Sequence, residues 1–331
     1  MRVLVTVLLG AGLVASAGAQ APQAPSPRAA SLPRTADWFL STGRWNDDPQ
    51  LYVREFGDGT RPVVMLHGGW GGDHAGLVDA VSTLGDRYRF IFYDQRGSLR
   101  SPFPDALIAF DRHVEDLELL RRELALDRLT IVGHSMGSVL ASAYASKYPD
   151  RIEQLILLSP APLKNPLPDA DKPAQREGSL ASQAFMKRPA VAQELEKYAL
   201  TRTDPPLSSR EETARFRINF AARMLYDVRN WRLLTGGRAL YKAHVDELTT
   251  KTQPVSGWDY VQEFAQRAYP VAIVTGDHDF LDFGNPLARK WVQAVPRIEL
   301  RIVPDAGHMI WIDQPARVSQ ELDRLLQRRK P

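Results

Sequence analysis

Cysteine is absent from the 331 residues. That excludes a disulfide framework, a thiolate metal centre and a thiol nucleophile. Charge of one sign is scarce as well. The 42 Lys and Arg against 39 Asp and Glu leave a net charge of +3, and no basic run is present. The chain therefore carries no nucleic-acid footprint. The apolar stretch Val3 to Val14 is interrupted by Gly10 and Gly12 and falls short of the ~20 residues that a spanning helix needs. Arg2 before it and Ala15-Ser16-Ala17-Gly18-Ala19 after it give the charged, apolar, A-x-A order of a secretory signal peptide, 1–19, cleaved before Gln20. The expected location is exported, periplasmic or secreted, with no integral membrane segment after cleavage. Ala- and Pro-rich 20–33 reads as a flexible leader within an N-terminal extension, 20–50.

Beyond residue 50 strands and helices alternate. Leu51-Tyr52-Val53-Arg54-Glu55-Phe56 has strand period, and Pro62-Val63-Val64-Met65-Leu66 is a short apolar run suited to a buried strand. Arg89-Phe90-Ile91-Phe92-Tyr93, Leu129-Thr130-Ile131-Val132 and 152–158 repeat that signature. Helical patterns at 75–84, 110–126 and 138–148 separate them, the second placing Val114, Leu117, Leu120 and Leu124 on one face. This rhythm predicts an α/β fold with a mostly parallel central sheet covered by helices on both faces. It breaks at 162–266, where Pro-rich sequence leads into helical patterns at 190–200, 210–226 and 231–248. We read a helical cap inserted between two core segments, 51–161 and 267–331. Strands return at Tyr269-Pro270-Val271-Ala272-Ile273-Val274 and Ile298-Glu299-Leu300-Arg301-Ile302-Val303, and a last helix at 316–328.

Gly133-His134-Ser135-Met136-Gly137 matches G-x-S-x-G between a buried strand and a helix of small residues. In that context the chain must reverse sharply at Ser135, exposing its hydroxyl, and glycines flank it because side chains there would strike backbone. A serine hydroxyl needs a base, and the base an orienting group. His308, after the last strand, is the base. Among the acids after Val274, Asp279 has the best spacing, with Asp277 and Asp282 as rivals. The order Ser135, Asp279, His308 is that of the α/β hydrolases. The tetrahedral intermediate needs two N–H donors. Met136 follows the nucleophile, and Gly69 sits in the glycine-dense loop His67-Gly68-Gly69-Trp70-Gly71-Gly72. Trp70 beside it is expected to line the substrate pocket. His67 reads as structural, His134 as packed on the core, and His74, His113, His244 and His278 have no placement argument.

These residues resemble the α/β-hydrolase superfamily over about 50–160 and 268–328. Within it, Tyr93-Asp94-Gln95-Arg96-Gly97-Ser98-Leu99-Arg100-Ser101 looks like the D-Q-R-G-S-G-x-S segment of proline iminopeptidases, and His67-Gly68-Gly69-Trp70-Gly71 is similar to their H-G-G-P-G. Gly307-His308-Met309-Ile310-Trp311-Ile312-Asp313-Gln314-Pro315 is similar to a widespread superfamily ending. The resemblance implies a cofactor-free, metal-free enzyme that removes N-terminal residues, proline favoured, from a short-peptide or small-molecule substrate through an acyl-enzyme. Trp70 stands where the family has proline and Leu99 where it has glycine. The family's W-x-x-W-E motif, whose neighbouring cap glutamates bind the free amine, is missing, and Glu194, Glu196, Glu211, Glu212, Asp227, Asp246, Glu247, Asp259 and Glu263 cannot be ranked for that role. An esterase or lactonase using the same triad is one alternative, and a non-catalytic binding protein of the same fold another. Arg96 binds either a substrate carboxylate or, as such arginines more often do, the loops around it. Oligomeric state is left open.

Overall fold

The computed structural model describes residues 35–44, 48–235, 242–279 and 284–328. The expected signal peptide, all of the leader and Asp282 lie outside them. Eight strands form one sheet: β1 (Thr35–Ser41), β2 (Gln50–Phe56), β3 (Arg61–Leu66), β4 (Tyr88–Tyr93), β5 (Leu129–Ser135), β6 (Ile152–Pro160), β9 (Val271–Gly276) and β10 (Ile298–Val303). Their order across the sheet is β1-β2-β4-β3-β5-β6-β9-β10. β1 and β2 pair antiparallel, as do β2 and β4, and every later pair is parallel. Regular structure thus begins inside the span expected to be extension. β1 is an edge strand with only Leu40 buried, and the exposed Phe39 breaks the apolar–polar alternation that would have marked it.

Helices cover both faces. α1 (Ala75–Val78), α2 (Phe110–Glu123), α3 (Met136–Lys147), α9 (Gly284–Ala294), α10 (Ile310–Asp313) and α11 (Pro315–Leu326) belong to the core, and α4 (Lys172–Met186), α5 (Pro189–Lys197), α6 (Ser209–Met224), α7 (Ala243–Lys251) and α8 (Tyr260–Ala265) to the cap. Two apolar clusters result, one on each face of the sheet. Leu66, Ile131, Leu157 and Ile273 head the cluster toward α2, α3 and α9. Met65, Val132, Ile156 and Val274 head the cluster toward α10, α11 and part of the cap. Adjacent residues on β3, β5, β6 and β9 therefore face opposite clusters, which is why those strands read as unbroken apolar runs.

The span 231–248 is not one helix. A 3-10 segment covers Val228–Leu233, and a separate helix, α7, starts at Ala243. A two-stranded ribbon, β7 (Lys164–Asn165) with β8 (Trp258–Asp259), stitches the two ends of the cap together antiparallel. This places both cap-to-core connections side by side.

Candidate active site

Parallel strands of an α/β sheet present their carboxyl ends, and the loops after them, on one edge. β5 ends there at Ser135, whose φ is +52° and ψ −122°. That positive φ is strained for a residue with a side chain, and the surroundings hold it. A Cβ on Gly133 would stand 2.6 Å from Gly137 O, and one on Gly137 would stand 2.4 Å from Leu66 O and 2.6 Å from His67 O. Both glycines are thus required by backbone packed on backbone. Ser138 Oγ donates to Ser135 O at 2.5 Å and Ala161 N donates to the same oxygen at 3.2 Å, pinning the corner from two sides. Met136 is the first residue of α3, so its N–H is among those a helix leaves without an internal acceptor.

The loop after β3 lies against this corner. A Cβ on Gly68 would fall 2.7 Å from Ser135 Cβ. Gly69 (φ +68°) and Gly71 (φ +81°) turn the chain there. Gly69 directly follows the residue that meets Ser135. His67 fixes the loop from behind. Its Nε2 accepts Gln95 N at 3.1 Å, its Nδ1 lies 3.1 Å from Gly68 O, and its carbonyl accepts Gln95 Nε2 at 2.9 Å. The ring therefore carries its proton on Nδ1, and burial holds its pKa below the usual histidine value. Its expected structural role is the observed one.

Trp70, expected to line the pocket, is fully buried, with its ring 5.9 Å from Phe110 and 4.9 Å from His113 between centroids. It packs against α2. Arg96 also has a structural place. It makes a bidentate pair with Asp116 at 2.7 and 2.5 Å, donates to Leu107 O at 2.5 Å, and lies over the Phe103 ring. It ties the loop after β4 to α2, and no substrate role is needed to explain it.

The loop after β9 carries the acid. Asp279 is buried; its Oδ1 lies 3.0 Å from His308 Nδ1 and its Oδ2 accepts Thr275 Oγ1 at 3.2 Å. Asp277 is turned away, with Oδ1 2.8 Å from His278 Nδ1 and accepting Ala306 N at 3.2 Å. Of the acids placed by the structure, the geometry brings Asp279 to the base. With Nδ1–H given to Asp279, His308 Nε2 is the lone-pair nitrogen. His134, directly before Ser135, has its ring 4.7 Å from that of His308, and Trp311 meets His134 edge-on at 4.7 Å. Burial pushes His134 well below the usual histidine pKa, and the neighbouring His308 lowers it further. A neutral imidazole thus backs the base.

One group of contacts has no signature in the residue types alone. Met224 O, at the end of cap helix α6, accepts both His308 N at 2.8 Å and Met309 N at 3.1 Å. Asp313 accepts Gly307 N at 3.0 Å, Tyr226 N at 2.8 Å and Asp227 N at 3.2 Å. The base is therefore held by the cap as well as by the core. Asp313 lies inside the sequence ending already singled out, and that was the available signal. Among the described residues no group of three or more His, Asp or Glu is placed to hold a metal ion, and no helix is long and apolar enough to cross a membrane.

The sheet order and the three loops that meet at its carboxyl edge define an α/β hydrolase. The family model for the alpha/beta hydrolase fold matches residues 61–315, and the chain belongs to that family. It is 40% identical to a proline iminopeptidase of Heyndrickxia coagulans over 120 residues, 36% of this chain and 41% of that enzyme. The chain thus matches less than half of that relative's length. It is 29% identical to the sn-1-specific diacylglycerol lipase ABHD11 of Mus musculus over 307 residues, 88% of this chain and 91% of the lipase. Among solved structures, a proline iminopeptidase-related protein of Thermus thermophilus superposes with a TM-score of 0.61 at 24% identity, covering 88% of this chain and 97% of that one. At that identity the likeness speaks for the fold alone.

Proposed function

We propose that the chain is an exported serine hydrolase that releases N-terminal residues, proline among them, from short peptides or small amides. The observation that carries the hydrolase reading is the 3.0 Å pair of His308 Nδ1 and Asp279 Oδ1 at the same sheet edge as the strained Ser135 corner. Ser135 Oγ attacks the substrate carbonyl carbon, and its proton passes to His308 Nε2. Asp279 keeps the imidazolium oriented and stabilised, while Gly69 and Met136 N–H groups receive the oxyanion. Collapse of the tetrahedral intermediate breaks the amide C–N bond, and the departing nitrogen takes the proton from His308. A water molecule, deprotonated by His308, then attacks the acyl-enzyme and frees Ser135.

Amine recognition needs a carboxylate with no cation of its own. Most cap carboxylates fail that test: Glu211 pairs with Arg202, Glu212 with Arg215, Asp227 with Arg229, Glu247 with Lys251 and Asp259 with Lys164. Glu194 accepts Trp231 Nε1 at 3.0 Å and pairs with Lys197. Asp246 is half-buried, with its pKa raised by that burial. It follows Val245, whose Cβ lies 3.0 Å from where a Cβ on Gly71 would be. It is the cap carboxylate we assign to the substrate amine. The pairing of the other carboxylates favours a second reading, an esterase or lactonase.

The test is a panel of proline and other aminoacyl anilides, each with free and blocked amine, beside short acyl esters and lactones. The proposal expects turnover of free-amine anilides only, at least about 10⁴-fold lower in Ser135→Ala, and a raised KM in Asp246→Asn. Ester turnover with inert anilides establishes the second reading. Activity surviving Ser135→Ala overturns the mechanism, and a folded chain that no fluorophosphonate labels is a binding protein.

A further inference from the structure

Residue types alone give His74 no role, and the triad does not use it. Yet it is fully buried beside a buried carboxylate. His74 Nδ1 lies 2.6 Å from Asp94 Oδ1, and the same oxygen accepts His74 N at 3.0 Å. Facing a carboxylate, Nδ1 is the donor. The ring packs on Tyr52, stacked at 5.4 Å between centroids, and on Phe92 at 5.9 Å. Its Nε2 is buried without a hydrogen-bond partner among the described residues, so the polar work of the imidazole goes through Nδ1. Burial opposes charge on Asp94, but the His74 hydrogen bonds hold its carboxyl below the usual aspartate pKa. Half-exposed Arg100 closes the group. It donates to Asp94 Oδ2 at 3.3 Å and to Asp73 Oδ2 at 3.0 Å, and Asp73 Oδ1 accepts Ala75 N at 3.0 Å.

This group stands at the far end of the loop after β3. At the near end, Gln95 N donates to His67 Nε2 and Gln95 Nε2 donates to His67 O. Two consecutive residues, Asp94 and Gln95, thus hold both ends of the segment 67–74. Between those ends lie four glycines, 68, 69, 71 and 72. Glycine backbone has little conformational preference of its own, so the path of the segment depends on where its ends are fixed. The anchor is fixed in turn. Asp94 N donates to Tyr52 O at 3.0 Å, and Ser101 Oγ donates to Asp94 O at 2.7 Å.

We propose that Asp94, acting through His74, is a positioning residue that sets the far end of the oxyanion loop. The assignment rests on Gly69 as an oxyanion donor, and hence on the hydrolase reading. Neither Asp94 nor His74 touches substrate. A shifted loop end moves the Gly69 N–H away from the point where negative charge develops, and a misplacement of about 1 Å costs up to about a hundredfold in rate. The loss falls on kcat, because ground-state binding does not load the oxyanion site.

The test is the rate at which a fluorophosphonate labels Ser135 in the full chain. That reaction loads the oxyanion site whatever the natural substrate is. kcat and KM on the anilide or ester that the chain turns over give a second readout. Asp94→Asn removes the charge, and His74→Phe keeps the aromatic packing without the donor. His74→Asn is the rescue, since its amide nitrogen takes the place of Nδ1. Asp323→Asn is the control at the opposite end of β4, where Asp323 accepts Tyr88 Oη at 3.0 Å and pairs with Arg87. Thermal melting confirms the fold of each variant. Labelling should slow at least about tenfold in Asp94→Asn and His74→Phe, with kcat falling in step and KM nearly unchanged. His74→Asn should recover most of the loss, and Asp323→Asn should show none. Parental labelling rates in folded Asp94→Asn and His74→Phe, no recovery in His74→Asn, or an equal loss in Asp323→Asn overturns the proposal and leaves the hydrolase reading standing. A parent chain that takes no label overturns both. Should Asp94→Asn and His74→Phe not fold, Arg100→Gln decides: slower labelling is expected, and an unchanged rate overturns the proposal.

Discussion

At the nucleophile corner the chain is held by backbone against backbone; in the cap it is held by side chains. Gly133 and Gly137 stand where a single added carbon would overlap carbonyl oxygens of the elbow and of the β3 end. The end of cap helix α6 is instead gripped by the Arg188 fork, which donates to Ala222 O at 2.7 Å, Leu225 O at 2.9 Å and Tyr226 O at 3.2 Å. Backbone contact permits almost no substitution. A side-chain grip can be rebuilt with other residues of similar reach. Chemistry that depends on one oxygen, two N–H groups and an imidazole belongs in the first kind of structure, and substrate choice in the second. The seam between them, at His308, uses both.

The comparison breaks most sharply at the acid. Asp279→Asn should lower kcat about ten-thousandfold, because the amide no longer selects the tautomer with a free Nε2, while thermal melting stays close to that of the parent. Asp277→Asn, two residues away but facing His278 and Ala306, should cost less than tenfold. Equal losses would show that the 3.0 Å contact of Asp279 does not define the site.

The second prediction concerns acid. His67, His113 and His134 all lie in the core, and burial lowers the pKa of each below 6.5. The folded pKa is thus below the unfolded one. Stability is full above pH 6.5 and declines as pH falls below it, because the unfolded chain takes up protons that the folded chain refuses. A histidine that stays neutral in the folded chain contributes at most about 1.4 kcal/mol per pH unit. Urea unfolding between pH 7 and 5 measures the slope, and His113→Asn should reduce it. A flat profile would mean that these rings are protonated in the folded state.

The elbow could be read from residue types because only glycine satisfies the close approaches at 133 and 137, and only a strand–helix corner explains a serine between them. The parallel sheet was legible for a related reason: strands buried on both faces are apolar throughout. The packing of Trp70 on Phe110 and His113 was not legible, because an aromatic residue in a glycine-dense loop suits a pocket and a core equally. The missed strand β1 buries one residue, too little for a pattern. The helical period running through 231–248 could not show that the chain divides into a 3-10 segment and α7. Met224 was invisible in principle, since it acts through its carbonyl and any residue has one.

A smaller effect, read here on stability, is expected at Gly137→Ala. The added methyl meets Leu66 O and His67 O at 2.4 and 2.6 Å, both backbone atoms within the sheet edge, so relief requires strand movement. A loss of about 3 kcal/mol in urea unfolding follows. Arg188→Lys at the cap keeps the charge and reaches fewer of the four carbonyls that Arg188 now serves, and should lose about 1–2 kcal/mol. Were the two losses reversed in size, the division between backbone-held and side-chain-held regions would be wrong.

The least effect, and the most informative, is expected at the seam. Asp313 receives N–H groups from Gly307 of the catalytic loop and from Tyr226 and Asp227 of the cap. Asparagine has the same shape but turns one acceptor into a donor, which must face at least one of those N–H groups. Asp313→Asn should therefore cost about 1 kcal/mol in stability and lower kcat several-fold, since His308 N and Met309 N hang from Met224 O beside the same seam. KM for a substrate that touches the end of α6 should change with it, because Met224 O holds the loop of His308. A stability loss with unchanged kcat and KM would show that the cap only covers the base. A joint change would show that substrate choice and catalysis share this one carboxylate as their mechanical link.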